Sequence, residues 1–131
     1  MTTTIERLSA ADLIALARAA RDEDCTCGFG SYRGWTSAAP HLWPDARLVK
    51  VGSLRDVEAD EPSWLEHHPA GTRIDSPDAP IAINHFPANR ADVYRCGECG
   101  QIVLHYQEAG GYYTEARVRL LDPTLVVDVP A

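Results

Sequence analysis

The sequence predicts an α+β fold, in which one N-terminal helix packs on a small antiparallel sheet that carries a zinc-ribbon-like turn. Apolar residues recur at helical spacing near the start of the chain, and β-branched and aromatic stretches alternate with turn residues further on. A Cys-x-x-Cys motif lies between two of the predicted strands. The 131 residues suit one domain. We therefore expect a single zinc-stabilised domain over residues 1–131.

The predicted helix covers residues 8–24, LSAADLIALARAARDED. Ser9 is placed to cap its N-terminus, and Asp12 occupies the acidic position of a capping box. The buried stripe consists of Leu13, Leu16, Ala17 and Ala20. We expect the helix to end near Asp22–Asp24 and these acids to face solvent, because charge runs are usually solvated.

The rest of the chain is predicted to be mostly strands and loops. Glycine, serine and proline make residues 28–46 an irregular coil. Residues 47–54 alternate as a strand, residues 63–74 suit a hairpin, and residues 81–86 suit a short strand in a proline-rich loop. A second hairpin is expected from residues 101–107 and 112–121, turning at Gly110-Gly111.

Composition limits the possible partners. The net charge is −7, from 19 acidic and 12 basic residues, so binding to phosphate backbones starts at a disadvantage. Arginine accounts for nearly all of the basic residues, a bias typical of a GC-rich bacterial genome. No basic and apolar leader is visible, and no apolar stretch is long enough to span a bilayer. We expect a cytoplasmic protein with no membrane partner.

The four cysteines form two close pairs, CTCG at 25–28 and RCGECGQ at 95–101. In reducing cytosol such pairs are more typical of a metal site or of catalysis than of a disulfide framework. Zinc takes four thiolates in a tetrahedron, and a Cys-x-x-Cys turn between two strands is the setting of a zinc ribbon. The sequence therefore predicts a structural Zn²⁺ site. Its ligands are Cys25, Cys27, Cys96 and Cys99.

Other roles for the cysteines stay open. A redox dithiol usually lies at the start of a helix in a βαβ unit, whereas this motif follows a strand. A catalytic zinc keeps an open position and usually has His or carboxylate ligands. His41 or His105 could replace a cysteine as ligand. Glu98, inside the motif, is expected to be a solvated turn residue.

The stretches DVYRCGECG, GGYYTEARVRLLDP and GTRIDSPDAPIA resemble a group of small, largely uncharacterised bacterial proteins. Members of that group share an early Cys-x-Cys and a late Cys-x-x-Cys-Gly. The resemblance covers most of residues 25–127. It implies a zinc-ribbon-like element carried by the four cysteines and implies no activity.

The leading functional hypothesis is a non-enzymatic protein that binds another protein, for example a toxin-neutralising immunity protein. Acidic clusters at Asp22–Asp24 and Asp56–Glu61 would supply charge complementarity to the partner. Aromatic anchors would supply apolar contact. The candidate anchors are Trp35, Trp43, Tyr112 and Tyr113.

Two other classes remain. A zinc-ribbon nucleic-acid-binding protein would use a basic patch near the cysteine turn. The candidates for that patch are Arg90, Arg95, Arg117 and Arg119. A small enzyme would use a pocket around Asn84, His85 and Arg90, although such residues often only hold a loop in shape. No catalytic or cofactor-binding residue is assigned, and the oligomeric state and the identity of the partner stay open.

Overall fold

The computed structural model describes residues 7–19, 33–38, 48–55, 63–109 and 114–130. It contains one α-helix, α1 (Ala10–Arg18), in the described part of the chain. The strands are β1 (Thr36–Ser37), β2 (Leu48–Ser53), β3 (Ile81–Ala82), β4 (Asp92–Cys96), β5 (Ile102–Ala109), β6 (Thr114–Leu120) and β7 (Val126–Val127). One helix with a largely antiparallel sheet confirms the predicted α+β class.

The main sheet has five strands in the order β1-β6-β5-β4-β2, and all neighbouring strands are antiparallel. The predicted strand at 47–54 is confirmed as β2. The strands of the predicted second hairpin are confirmed as the β5–β6 pair, and its turn at Gly110-Gly111 lies outside the described residues. The prediction of coil for residues 28–46 is wrong at Thr36–Ser37, which form the edge strand β1. The short strand predicted at 81–86 is present as β3, and its parallel pairing with β7 was not predicted.

The predicted capping box begins α1. The Ser9 hydroxyl accepts a hydrogen bond from the Asp12 amide (3.1 Å), and the Asp12 carboxylate accepts one from the Ser9 amide (3.0 Å). Two amides that the helix itself leaves without partners are thereby satisfied. The helix ends at Arg18, with Ala19 as its C-cap, and is shorter than predicted. Residues 20–24 of the prediction lie outside the described residues.

The main core lies on the face of the sheet that α1 covers. Leu13 is completely buried, and Leu16 and Ala17 pack against the same cluster. The sheet contributes side chains that alternate along β4 and β5, as expected for strands with one face on a core. These sheet residues are Val93, Ile102, Leu104 and Tyr106.

The hairpin predicted for residues 63–74 is wrong. A turn is present, since the Gly71 amide donates to the His68 carbonyl (3.0 Å) and Gly71 has φ of 78°. No strand flanks it within residues 63–74. The segment instead pairs with the loop that follows β3, where the Phe86 amide donates to the Leu65 carbonyl (2.9 Å). Because this partner satisfies the backbone, the two halves of the segment need not pair with each other.

A buried arginine ties two loops to the sheet. Arg119 on β6 is 1% exposed, and its guanidinium donates to the carbonyls of Arg33 (3.0 Å) and Ala79. Burial lowers the pKa of Arg119 to about 10, with the negative charges of two aspartates opposing the shift, so it stays charged at neutral pH. Nearby, a Cβ on Gly34 would lie 2.1 Å from the carbonyl oxygen of Asp75, so only glycine fits.

We expect Leu13→Ala to lower the free energy of unfolding by about 2–5 kcal/mol, because it removes a fully buried side chain and leaves a cavity. Urea denaturation measures the change. Leu65→Ala is the matched control, since Leu65 is 64% exposed. It should change stability by less than about 0.5 kcal/mol. Equal losses in the two variants would show that Leu13 is not part of the core.

Candidate functional site

The Cys-x-x-Cys turn lies between β4 and β5, as predicted. The Cys96 amide donates to the Gln101 carbonyl (2.9 Å), and the Gly100 amide donates to the Cys96 carbonyl (2.9 Å). Gly100 has φ of 78°, a left-handed conformation that glycine adopts without strain. Cys96 and Cys99 are both buried, in one cluster with side chains of the neighbouring strands. The turn therefore holds both sulfurs in one small region.

The end of α1 lies beside this turn. A cavity of about 290 Å³ is lined by Leu16, Ala19, Arg95 and residues 96–100. Ala19 is the last described residue before the segment 20–32, and Cys25 follows it by six positions. Six residues of extended chain span at most about 20 Å. The segment that carries the other two cysteines therefore starts within reach of the turn.

The residue that follows the same segment also lies near the turn. Arg33, the first described residue after it, lines a second cavity of about 400 Å³ together with Arg18 and Gln101. Gln101 directly follows Gly100, and Cys27 precedes Arg33 by six positions. The described residues on the two sides of segment 20–32 therefore line cavities at the cysteine turn and at the residue after it.

The described residues contain two of the four predicted zinc ligands. Among residues 7–19, 33–38, 48–55, 63–109 and 114–130, no three His, Cys, Asp or Glu side chains come together in a metal-binding group. Cys25 and Cys27 lie outside these ranges. The donors that are described, two buried thiols on one tight turn, suit zinc chemically. Completing a tetrahedral site would require the second pair.

Of the two alternative ligands, only His105 lies among the described residues. His105, on β5, has its Nε2 atom 3.0 Å from the side-chain oxygen of Gln107. Glu98 is exposed, in agreement with its prediction as a solvated turn residue. His41 lies outside the described residues.

The three residues proposed for an enzyme pocket contact different neighbours. The Asn84 side chain donates to Asp128 (2.7 Å) and accepts from Arg7 (3.1 Å). The guanidinium of Arg90 lies 3.7 Å from the centre of the Trp64 ring. His85 faces His67 instead, with the ring centres 4.9 Å apart. These contacts support the structural role for the loop rather than a shared reaction centre.

His85 is buried with an unsatisfied ring nitrogen. Its Nδ1 atom has no hydrogen-bond partner among the described residues, and the residue is 7% exposed. Burial, and then the positive charge that His67 carries when protonated, lower the pKa of His85 below its usual value of 6.5. Burial also lowers the pKa of His105. Both rings are therefore harder to protonate in the folded chain than in the unfolded chain.

The four arginines proposed for a nucleic-acid-binding patch differ in exposure. Arg119 is buried, Arg117 pairs with Glu115 at 3.1 Å, and Arg90 stacks on Trp64. Arg95 is the one exposed member of the four. Their charges therefore do not form a single exposed basic surface.

The prediction that Trp35 is an exposed aromatic anchor is wrong. Trp35 is buried and packs edge-on against Tyr106, with ring centres 4.8 Å apart. Trp43, Tyr112, Tyr113 and both acidic clusters lie outside the described residues. Sequence reasoning missed Trp64 and Leu65, which are 62% and 64% exposed. Both residues were predicted to lie in a hairpin. Their position shortly after the acidic segment 56–61 could have indicated a binding surface.

Comparisons with protein-family models, with curated proteins and with solved structures found no match. The resemblance to small bacterial proteins with the same cysteine pattern therefore remains a prediction. Within the described ranges, no helix has the length and apolar character needed to cross a membrane.

We expect the buried histidines to make the fold sensitive to mild acid. Because the pKa of His85 is lower in the folded state, its stabilising effect is complete above about pH 6.5 and is lost as the pH falls. The free energy of unfolding should therefore fall from pH 7.5 to pH 5.5, and the fall should be smaller in His85→Gln. Urea titrations at the two pH values measure both differences. An unchanged fall in the variant would remove His85 as a cause.

Proposed function

We propose that this chain is a non-enzymatic binding protein whose fold is stabilised by one structural Zn²⁺ held by Cys25, Cys27, Cys96 and Cys99. The observation that carries the metal assignment is the position of the two described residues that flank segment 20–32. Ala19 lines one cavity with the turn that contains Cys96 and Cys99, and Arg33 lines another with Gln101, the residue after Gly100. The 13 residues between these two points are enough to bring two thiols to the same ion.

The role of the metal would be structural. Four thiolates fill the tetrahedral shell of zinc and leave no position for water or substrate. Such a site would join the end of α1 to the β4–β5 turn, elements that are far apart in sequence. Closing a long loop restricts the unfolded chain strongly, and metal binding is then coupled to folding.

Protein binding is the activity that the surface supports best. The chain carries a net charge of −7, and the large apolar side chains of Trp64 and Leu65 are exposed. Three of the four arginines and the histidine of the other two hypotheses make contacts within the chain. A toxin-neutralising immunity protein in the cytoplasm is one form of this function, since an acidic protein of this kind would cover a basic partner.

We expect protein purified without added metal to contain about one zinc per chain. Elemental analysis by mass spectrometry measures the content. Cys96→Ser should lower both the zinc content and the melting temperature, because loss of a ligand weakens a site on which folding depends.

The control for this prediction is Glu98→Gln, a change at an exposed residue within the same turn. It should leave zinc content, melting temperature and partner binding nearly unchanged. Loss of an enzymatic activity in Glu98→Gln, with zinc and fold intact, would contradict a purely structural metal. Wild-type protein that contains reactive thiols and no metal would contradict the site itself.

The binding function is tested by affinity purification of the tagged full-length chain from its native bacterium, with proteins and metal measured in the same sample. We expect a specific protein to copurify at near-equal molar amount, together with zinc. Nuclease treatment should leave this complex intact, whereas a nucleic-acid-binding protein would lose its partner. Absence of any copurifying protein would contradict the proposal.

A further inference from the structure

We propose that Trp64 and Leu65, supported by Phe86 and Arg90, form the docking surface for a basic protein partner. We call these four residues the Trp64 surface. The partner would present an apolar pocket bordered by lysine or arginine side chains. This inference rests on the proposed binding function and specifies where and with what chemistry the binding occurs.

Exposure distinguishes this site from the other tryptophan that the structure describes. Trp35 is 4% exposed and belongs to the core, whereas Trp64 is 62% exposed and is followed by the equally exposed Leu65. Two large apolar side chains at adjacent exposed positions leave a substantial area in contact with water. Tryptophan in such a position is the residue type that most often dominates the free energy of binding at interfaces.

The backbone of the Trp64 surface is held in place before any partner binds. The Phe86 amide donates to the Leu65 carbonyl (2.9 Å) on one side of the tryptophan. The Asn89 side chain donates to the Ser63 carbonyl (2.8 Å) on the other. Because the carbonyls that flank Trp64 are both bonded to one loop, the exposed segment loses little conformational entropy on binding.

The ring of Trp64 is also supported. Its centre lies 5.1 Å from that of Phe86 and 3.7 Å from the Arg90 guanidinium. A guanidinium over an indole face is a cation–π contact, which favours one orientation of the ring. The ring is thus held by two neighbours and remains more than half exposed.

Charge identifies the kind of partner. Ser63, at the start of the surface, follows a segment with four acids in residues 56–61. Glu66, on the other side, is exposed. Together with the net charge of −7, these acids favour a basic partner and disfavour a nucleic acid, an anionic membrane or a second copy of this chain.

The first experiment places a photo-crosslinking benzophenone amino acid at position 64 of the full-length chain in its native bacterium. The matched control has the same amino acid at Val49, an exposed apolar residue on β2. We expect a crosslink from position 64, and not from position 49, to a protein that mass spectrometry identifies and whose sequence is basic. A crosslink to a second copy of this chain, to nucleic acid or to nothing would overturn the inference.

The second experiment measures binding of the purified partner so identified. Trp64→Ala should weaken binding at least about tenfold, the size of loss expected at the centre of an interface. Leu65→Ala should also weaken it, whereas Val49→Ala should not. Melting temperatures of all three variants should match the wild type, which separates loss of contact from loss of fold.

The same binding measurement also tests whether charge contributes to the affinity. Raising the salt concentration should weaken binding of the wild type, and a change at the exposed residue next to Leu65, Glu66→Lys, should weaken binding and reduce the salt dependence. Wild-type binding that Trp64→Ala leaves unchanged would overturn the docking surface while the proposed binding function stands. A wild-type chain that binds no protein would overturn both.

Discussion

The buried charge of Arg119 is the constraint on which the arrangement of the loops depends. A guanidinium removed from water is costly unless hydrogen bonds replace those it made to solvent. Here the carbonyls of Arg33 and Ala79 supply such bonds, so both loops are fixed to β6. Gly34 allows the two loops to approach closely. Arg33 is also the first described residue after Cys25 and Cys27, so this contact fixes the residue that follows the cysteine segment.

The two faces of the sheet carry two different clusters of buried side chains. One face carries the main core, which α1 covers through Leu13. A second cluster contains Cys96 and Cys99 with the alternate side chains Val103 and Val118 of β5 and β6. The cysteine turn is therefore built on the strands that form the centre of the sheet. If a zinc ion joins this turn to the segment after α1, it connects the helix to the sheet at a point that the main core does not reach.

The proposed docking surface is separate from the proposed metal site in its supporting contacts. Trp64 depends on the loop after β3, through the hydrogen bonds to Ser63 and Leu65 and through the contacts with Phe86 and Arg90. The proposed metal site would depend on the β4–β5 turn and the end of α1. Phe86 packs edge-on against Tyr106 of β5, which belongs to the main core and not to the cluster of Cys96 and Cys99. Changes at Trp64 can therefore alter binding while the fold stays intact.

Features that depend on neighbouring residues could be predicted from the sequence. The capping box of Ser9 and Asp12, the β5–β6 hairpin and the cysteine turn between two strands each follow from residues a few positions apart, so the local chain determines them. The tertiary structure alone decided that residues 63–74 bind a distant loop, that β3 pairs with β7, and which tryptophan is buried. These outcomes depend on contacts between residues far apart in sequence, which determine burial and which no local pattern encodes. For the same reason the sequence identified the cysteines of the candidate metal site, whereas only the folded chain placed Ala19 and Arg33, the described residues that flank the segment of Cys25 and Cys27, near the turn that carries the other two cysteines.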